Sequence, residues 1–141
     1  MNGTLTIGQA AGAVGCNVRT IRYYEQIGLL PAAVRTDGNQ RRFVVSDLRR
    51  LSFIRQARAF GFSLDEIRTM LELSDRPRQS CTAVTDIALA RLAEVDRRLH
   101  RLAALRRQLA AMVAGCKGGE MSDCRIVEAL AGDPGRGLNL Q

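Results

Sequence analysis

Residues 81–114 contain neither glycine nor proline, and no other feature limits the fold of this chain so tightly. Their apolar residues fall at Ala88, Leu92, Val95, Leu99, Leu102, Leu105, Leu109 and Met112, at intervals of 4, 3, 4, 3, 3, 4 and 3. That spacing is close to a heptad seam and predicts one helix about 50 Å long at 1.5 Å per residue. A lone helix of that length would leave its stripe in water. Folding back onto its own domain would cover only part of it, because the chain has 141 residues in all. The stripe is therefore expected to join two copies of the chain, as small chains often complete a core by dimerising.

Upstream of the long helix the signals are short and local. "TIGQAAGAVG" reads as a helix over 6–15 capped by Thr6, and Gly15 ends it. Asn17 can then cap a second helix, "VRTIRYYEQIG", over 18–28. Two short helices around a glycine turn outline a helix-turn-helix. "LLPAAVRTDGNQRRFVV" (29–45) carries the turn signal "TDGN" before β-branched and aromatic residues, and reads as a small hairpin or wing. Ser46 precedes a third helix over 47–61, and the capping box Ser63–Glu66 opens a fourth over 63–73. The expected fold is thus mainly all-α. Residues 1–73 form the winged helix-turn-helix and 74–80 a linker; 81–114 form the dimerisation helix. Residues 115–131 make a cysteine loop and short helix, and the tail 132–141 is expected to be disordered.

Charge points to the partner. Lysine and arginine number 21 against 14 acids, a net +7, and residues 17–58 hold nine arginines against three acids. A basic cluster of this density suits a polyanion, and arginine forks onto phosphate or guanine. Arg19, Thr20, Arg22, Tyr23 and Tyr24 lie early in the second helix, where a recognition helix reaches the major groove. Arg35, Arg41 and Arg42 flank the hairpin turn, suited to gripping a neighbouring backbone. No apolar run approaches the ~20 residues of a membrane span. The N-terminus has no signal-peptide pattern, so a cytoplasmic location without membrane attachment is expected. There disulfides are rare, and the four cysteines (16, 81, 116, 124) more often serve metals or redox chemistry.

"TIGQAAGAVGCNVRTIRYYEQIGLL", followed by "RTDGNQRRF" and "IRQARAFGFSLDEI", resembles the DNA-binding half of the MerR family of transcription regulators. The likeness is close over residues 4–73 and extends through the cysteine loop to about 131. It implies a homodimer built from a winged helix-turn-helix and an antiparallel coiled coil, with an effector site at the coil's end. It further implies binding to double-stranded promoter DNA, distorted on effector binding so that RNA polymerase can engage. By the same resemblance Arg19, Thr20, Arg22, Tyr23 and Tyr24 would be recognition-helix contacts. Arg35, Gln40 and Arg41 would be wing contacts, although "GNQRRF" departs from the commoner Gly-Tyr-Arg wing.

Cys116 and Cys124 bracket the loop "KGGEMSD", and Cys81 begins the long helix, 35 residues before Cys116. Along one rod that is about 50 Å, so within one chain Cys81 cannot join the pair. In the antiparallel dimer that the resemblance implies, it can: each site would take Cys116 and Cys124 from one chain and Cys81 from the other. Three thiolates select soft ions over Mg or Ca, and Arg125 and Lys117 would favour their ionised form. Copper sensors of the family resemble this chain in loop length but have serine where Cys81 stands; sensors of divalent ions have cysteine there. Ligand identity sets charge and coordination number, so a divalent soft ion (Zn, Cd, Pb or Hg) is expected, with Cu(I) the alternative. Tetrahedral zinc would need Asp123, Glu120 or water as fourth donor. Cys16 is expected to be a small buried hydrophobe, and His100 a coil-surface residue.

Other functions fit less well. A thiol oxidoreductase would want a Cys-x-x-Cys or a histidine near a cysteine, and neither is present. A redox switch on Cys116 and Cys124 is the other regulatory reading, although an iron–sulfur centre would want four ligands rather than three. A drug sensor of the same family would carry a larger ligand-binding domain than the 17 residues after Cys124 can build.

Overall fold

A computed structural model describes residues 3–31, 34–35, 38, 40–116 and 118–132, with backbone alone at Val34 and Arg35. The described chain falls into two compact units, Met1–Ala88 and Leu89–Gln141, with the boundary inside the long helix.

In the first unit, helix α1 (Ile7–Val14) is opened by a full capping box between Thr6 and Gln9. It is closed by Gly15, whose φ of 81° belongs to the left-handed region. Helix α2 (Val18–Gln26) is capped by Asn17, whose side-chain oxygen accepts from the Thr20 amide at 2.7 Å. Strand β1 (Val34–Arg35) pairs antiparallel with β2 (Arg41–Arg42), Val34 facing Arg42 and Arg35 facing Arg41. Of the turn expected at 36–39, only Gly38 lies within the described residues. A backbone bridge ties the wing to the N-terminus through Leu5 and Phe43, with two hydrogen bonds of 2.8 Å.

Helix α3 (Val45–Ala59) starts two residues before the expected 47, so Ser46 lies inside it rather than capping it. The cap comes from within: the Asp47 carboxylate accepts from the Val44 amide at 2.9 Å, satisfying one of the orphan donors of the first turn. Helix α4 (Leu64–Ser74) opens on the Ser63–Glu66 capping box as expected. Both helices pack on Ala10, Ile21, Leu29 and Phe43 through Leu51, Ile54, Ile67 and Leu71, and Val84 and Ile87 pack against the same core. Arginines brace the end of α2: Arg68 donates to the Ile27 carbonyl and Arg50 to the Leu29 carbonyl, each at 2.6 Å.

Helix α5 spans Thr82–Gly115, one residue later at each end than the spacing predicts. Not one of its residues is buried, and Leu92, Val95, Leu99, Leu102, Leu105 and Leu109 are all exposed. An apolar groove along Leu102, Leu105, Leu109 and Val113 runs down this face. Beyond it come a single 3-10 turn (Met121–Asp123) and helix α6 (Arg125–Ala131). The tail read as disordered lies outside the described residues from 133 onward. No described helix is long and apolar enough to cross a membrane.

Phe43 is fully buried and holds the wing to the helices. Phe43→Ala is expected to cost about 3–5 kcal/mol, because it leaves a large cavity. Urea unfolding of the reduced protein, followed by circular dichroism, measures it.

Candidate nucleic-acid interface and candidate metal centre

The capping of α2 by Asn17 sets which side chains face outward. Arg19 and Arg22 are exposed and make no hydrogen bond or ion pair among the described residues. Tyr23 is also exposed, whereas Tyr24 packs partly into the core, its ring 6.0 Å from that of Tyr23. Burial raises the Tyr24 pKa, with Arg58 opposing. Tyr23 is thus the freer of the two tyrosines. The Thr20 hydroxyl donates to Asn17 Oδ1 at 2.8 Å, so its proton serves the cap and only its acceptor capacity faces a ligand.

In the wing the expectation divides. Gln40 is exposed, and the side chain of Arg35 lies outside the described residues. Arg41 departs from the expectation. Its residue is 8% exposed, and its guanidinium is held at 3.1 Å from Glu25 and 3.6 Å from Asp47. It also donates to the Arg42 carbonyl at 2.9 Å and lies 4.3 Å over the Phe43 ring. A guanidinium so enclosed has no free edge for phosphate. The wing residue facing outward at the turn is therefore not Arg41. Arg42 bonds Thr4, through its side-chain oxygen at 3.2 Å and its carbonyl at 3.4 Å.

Sequence reasoning missed Arg55 and Arg58. Both are exposed on α3. The Arg55 guanidinium lies where a Cβ on Gly15 would meet it at 3.5 Å, and its charge acts on Cys16; the Arg58 charge acts on Tyr24. They extend the basic surface around the turn before α2. The pattern "IRQARAF" offered a signal, since residues three apart share a helix face.

The loop after α5 brings two sulfurs together. Gly118 and Gly119 have φ of 79° and 110°, with nothing within 4 Å of where a Cβ would stand, so the chain can double back there. Cys124 then occupies the position before α6, where the Cys116 thiol at the other end of the loop acts on it. The Cys124 pKa is lowered, first by the backbone amide of Val127; burial opposes it next, and the Ile126 amide and the Cys116 thiol add to the lowering. These contacts polarise the sulfur without closing a side-chain cap of ordinary geometry. The expected helpers differ: Arg125 packs near Gly115, and Lys117 lies outside the described residues. The amides of a helix N-terminus are what favour the thiolate, as the dipole argument would have foretold.

Cys81 is exposed just before α5. Among the described residues of this single chain, no three of His, Cys, Asp and Glu converge on a point that could hold a metal ion, and Asp123 and Glu120 are no exception. Cys16 packs against the core but is only partly buried, short of the expected burial, and His100 is exposed on α5 as expected.

Residues 5–74 match the model of the MerR HTH family regulatory proteins, and residues 48–112 match that of the MerR, DNA binding family. The chain belongs to the MerR family of transcription regulators. Its members are DNA-binding regulators, not enzymes. It is 38% identical over 128 residues to the heavy metal-dependent transcription regulator 2 of Rhizobium meliloti (strain 1021), covering 90% of this chain and 86% of that one. Its fold is similar to that of the regulator PbrR691 from Ralstonia metallidurans CH34, solved in complex with lead(II). That likeness has a TM-score of 0.77 and 38% identity over 89% of this chain and 98% of the other. HiNmlR, a MerR family regulator solved on promoter DNA, is similar at TM-score 0.58 and 26% identity, over 79% of this chain and 84% of the other.

Burial raises the Cys16 pKa, against the lowering charge of Arg55, so less of it is thiolate at a given pH. Iodoacetamide at pH 8 is therefore expected to modify Cys16 more slowly than exposed Cys81, as peptide mapping of the reduced, metal-free protein would read. Equal rates would contradict the placement.

Proposed function

We propose that this MerR-family chain is a homodimeric activator that binds double-stranded promoter DNA and responds to a divalent soft metal ion (Zn, Cd, Pb or Hg) held by Cys81, Cys116 and Cys124. The observation that carries the reading is the pair Cys116 and Cys124 at the two ends of one short loop, with Cys124 biased toward thiolate by the first amides of α6. The fit is chemical: soft donors without a hard oxygen cluster suit thiophilic ions. The relative solved with lead(II) adds weight, because the likeness extends over 89% of this chain.

Two properties of α5 support the dimer and its direction. Its exposed leucines need a cover of the same kind, and a second copy supplies one. Its charge is uneven. Residues 82–98 balance Asp86, Glu94 and Asp96 against Arg91, Arg97 and Arg98, whereas 99–115 carry Arg101, Arg106 and Arg107 and no acid. Parallel pairing would set +3 against +3, while antiparallel pairing sets each basic half against a neutral one. Antiparallel helices bring the start of one beside the end of the other, where Cys81 of a second copy can complete the cysteine pair.

DNA is read by Arg19, Arg22 and Tyr23 of α2, with Thr20, Tyr24, Arg35 and Gln40 around them. Arginine forks serve guanine or phosphate, and the tyrosine hydroxyl serves phosphate. A bound cation supplies the effector signal by drawing thiolates of two chains to one point. Promoter distortion and the engagement of RNA polymerase follow from the family resemblance, as does work in the cytoplasm. Cu(I) is the second reading, favoured by the two close sulfurs, since two thiolates suffice for it.

Transcription in vitro against Zn, Cd, Pb, Hg and Cu(I) tests the assignment. Cys81→Ser is expected to lose the divalent response, and an unchanged profile would remove the third ligand. Leu99→Glu with Leu102→Glu is expected to leave a monomer in sedimentation equilibrium, because like charges then sit in the seam.

A further inference from the structure

Of the arginines expected on the DNA whose side chains are described, Arg41 alone is walled in, and its surroundings suggest a different task. Three segments meet on it. Glu25 comes from α2, the helix read as entering the groove; Arg41 itself stands on β2, the second strand of the wing; Asp47 stands in the first turn of α3. The Arg41 Nε lies 3.1 Å from Glu25 Oε2, and its Nη1 lies 3.6 Å from Asp47 Oδ2. The side chains of Arg41 and Asp47 are 6% and 7% exposed and that of Glu25 is 20%. The remaining donors reach the Arg42 carbonyl at 2.9 Å and the Pro31 carbonyl at 3.5 Å, and the face of the guanidinium lies over Phe43. Asp47 is itself engaged twice, with Arg41 and with the Val44 amide.

We propose that Arg41 is a positioning residue that clamps the wing to the recognition helix, so that both meet the DNA at one fixed relative angle. The inference rests on the reading of α2 and the wing as the DNA-binding surface. Buried ion pairs often add little net stability and are best understood as devices that select one geometry among several. Here the geometry selected is that between two elements which must reach separate parts of a duplex. A planar fork satisfies two carboxylates from different elements at once, which a lysine ammonium cannot reproduce.

The clamp and a phosphate contact make opposite forecasts. Glu25→Gln removes a negative charge close to the DNA-facing helix. If Arg41 touched phosphate, binding would be unchanged or tighter. Under the clamp, binding to a specific duplex weakens about tenfold. Arg41→Lys keeps the charge, so a phosphate contact would survive it, whereas the clamp again forecasts a loss of about tenfold. Under the clamp Arg41→Lys also keeps the wild-type affinity for unrelated duplex, Glu25→Gln keeps it or exceeds it, and both keep the wild-type slope of log K against log salt, because that slope counts phosphates neutralised.

The measurement is fluorescence anisotropy with the full-length dimer, on a duplex selected by the wild type from a random-sequence pool and on an unrelated duplex, across a salt series. Thermal unfolding accompanies each variant, and Arg41→Lys stands if Glu25→Gln fails to fold. Specific affinity lost with slope and unrelated-duplex affinity retained supports the clamp. Specific affinity retained in Arg41→Lys overturns it. Failure of the wild type to select any duplex would instead sink the DNA-binding reading beneath it.

Discussion

Water is a poor solvent for the outer face of α5. Leu92, Leu99, Leu102, Leu105 and Leu109 lie exposed along a helix none of whose residues is fully buried within the chain. Fully burying one such leucine is worth roughly 1.5–3 kcal/mol, so the stripe as a whole represents a strong drive toward association. That drive organises everything else. The second copy proposed above would answer it, and the uneven arginines of the helix favour one direction for that copy. The direction in turn decides whether a cysteine before α5 can meet two cysteines after it.

The arginines of the first unit do two jobs that composition cannot separate. Arg41, Arg42, Arg50, Arg58 and Arg68 all donate to groups of their own unit, several of them carbonyls at the ends of elements. Arg19 and Arg22 have no such partner among the described residues and are exposed. A small domain without tryptophan uses long forked side chains as struts for loops that apolar packing does not reach. The net charge of the segment therefore overstates how many guanidinium groups a nucleic acid could meet.

Local chemistry was legible and tertiary chemistry was not. Thr6 with Gln9, Asn17, and Ser63 with Glu66 each close a cap within four residues, and their helices begin where the letters place them. α3 was misplaced by two residues because the carboxylate that closes its first turn, Asp47, reaches back from inside the helix to the Val44 amide. Arg41 was misread for a related reason. An arginine on a hairpin looks the same whether it faces solvent or folds inward, and Glu25, sixteen residues upstream, decides which. The loop between Cys116 and Cys124 was legible in the sequence, while the left-handed backbones of Gly118 and Gly119 were not. The source of its ionisation was assigned to nearby cations, while the amides of α6 carry it.

The pair Cys116–Cys124 is assembled by a handful of consecutive residues: two glycines with left-handed backbones, one turn of 3-10 helix and the first amides of α6. Nothing in that construction draws on the core around Ile21 and Phe43. Loop length and donor type can consequently drift without disturbing the reading head. A lineage could retune what it senses while keeping the genes it governs, and the reverse exchange is equally open.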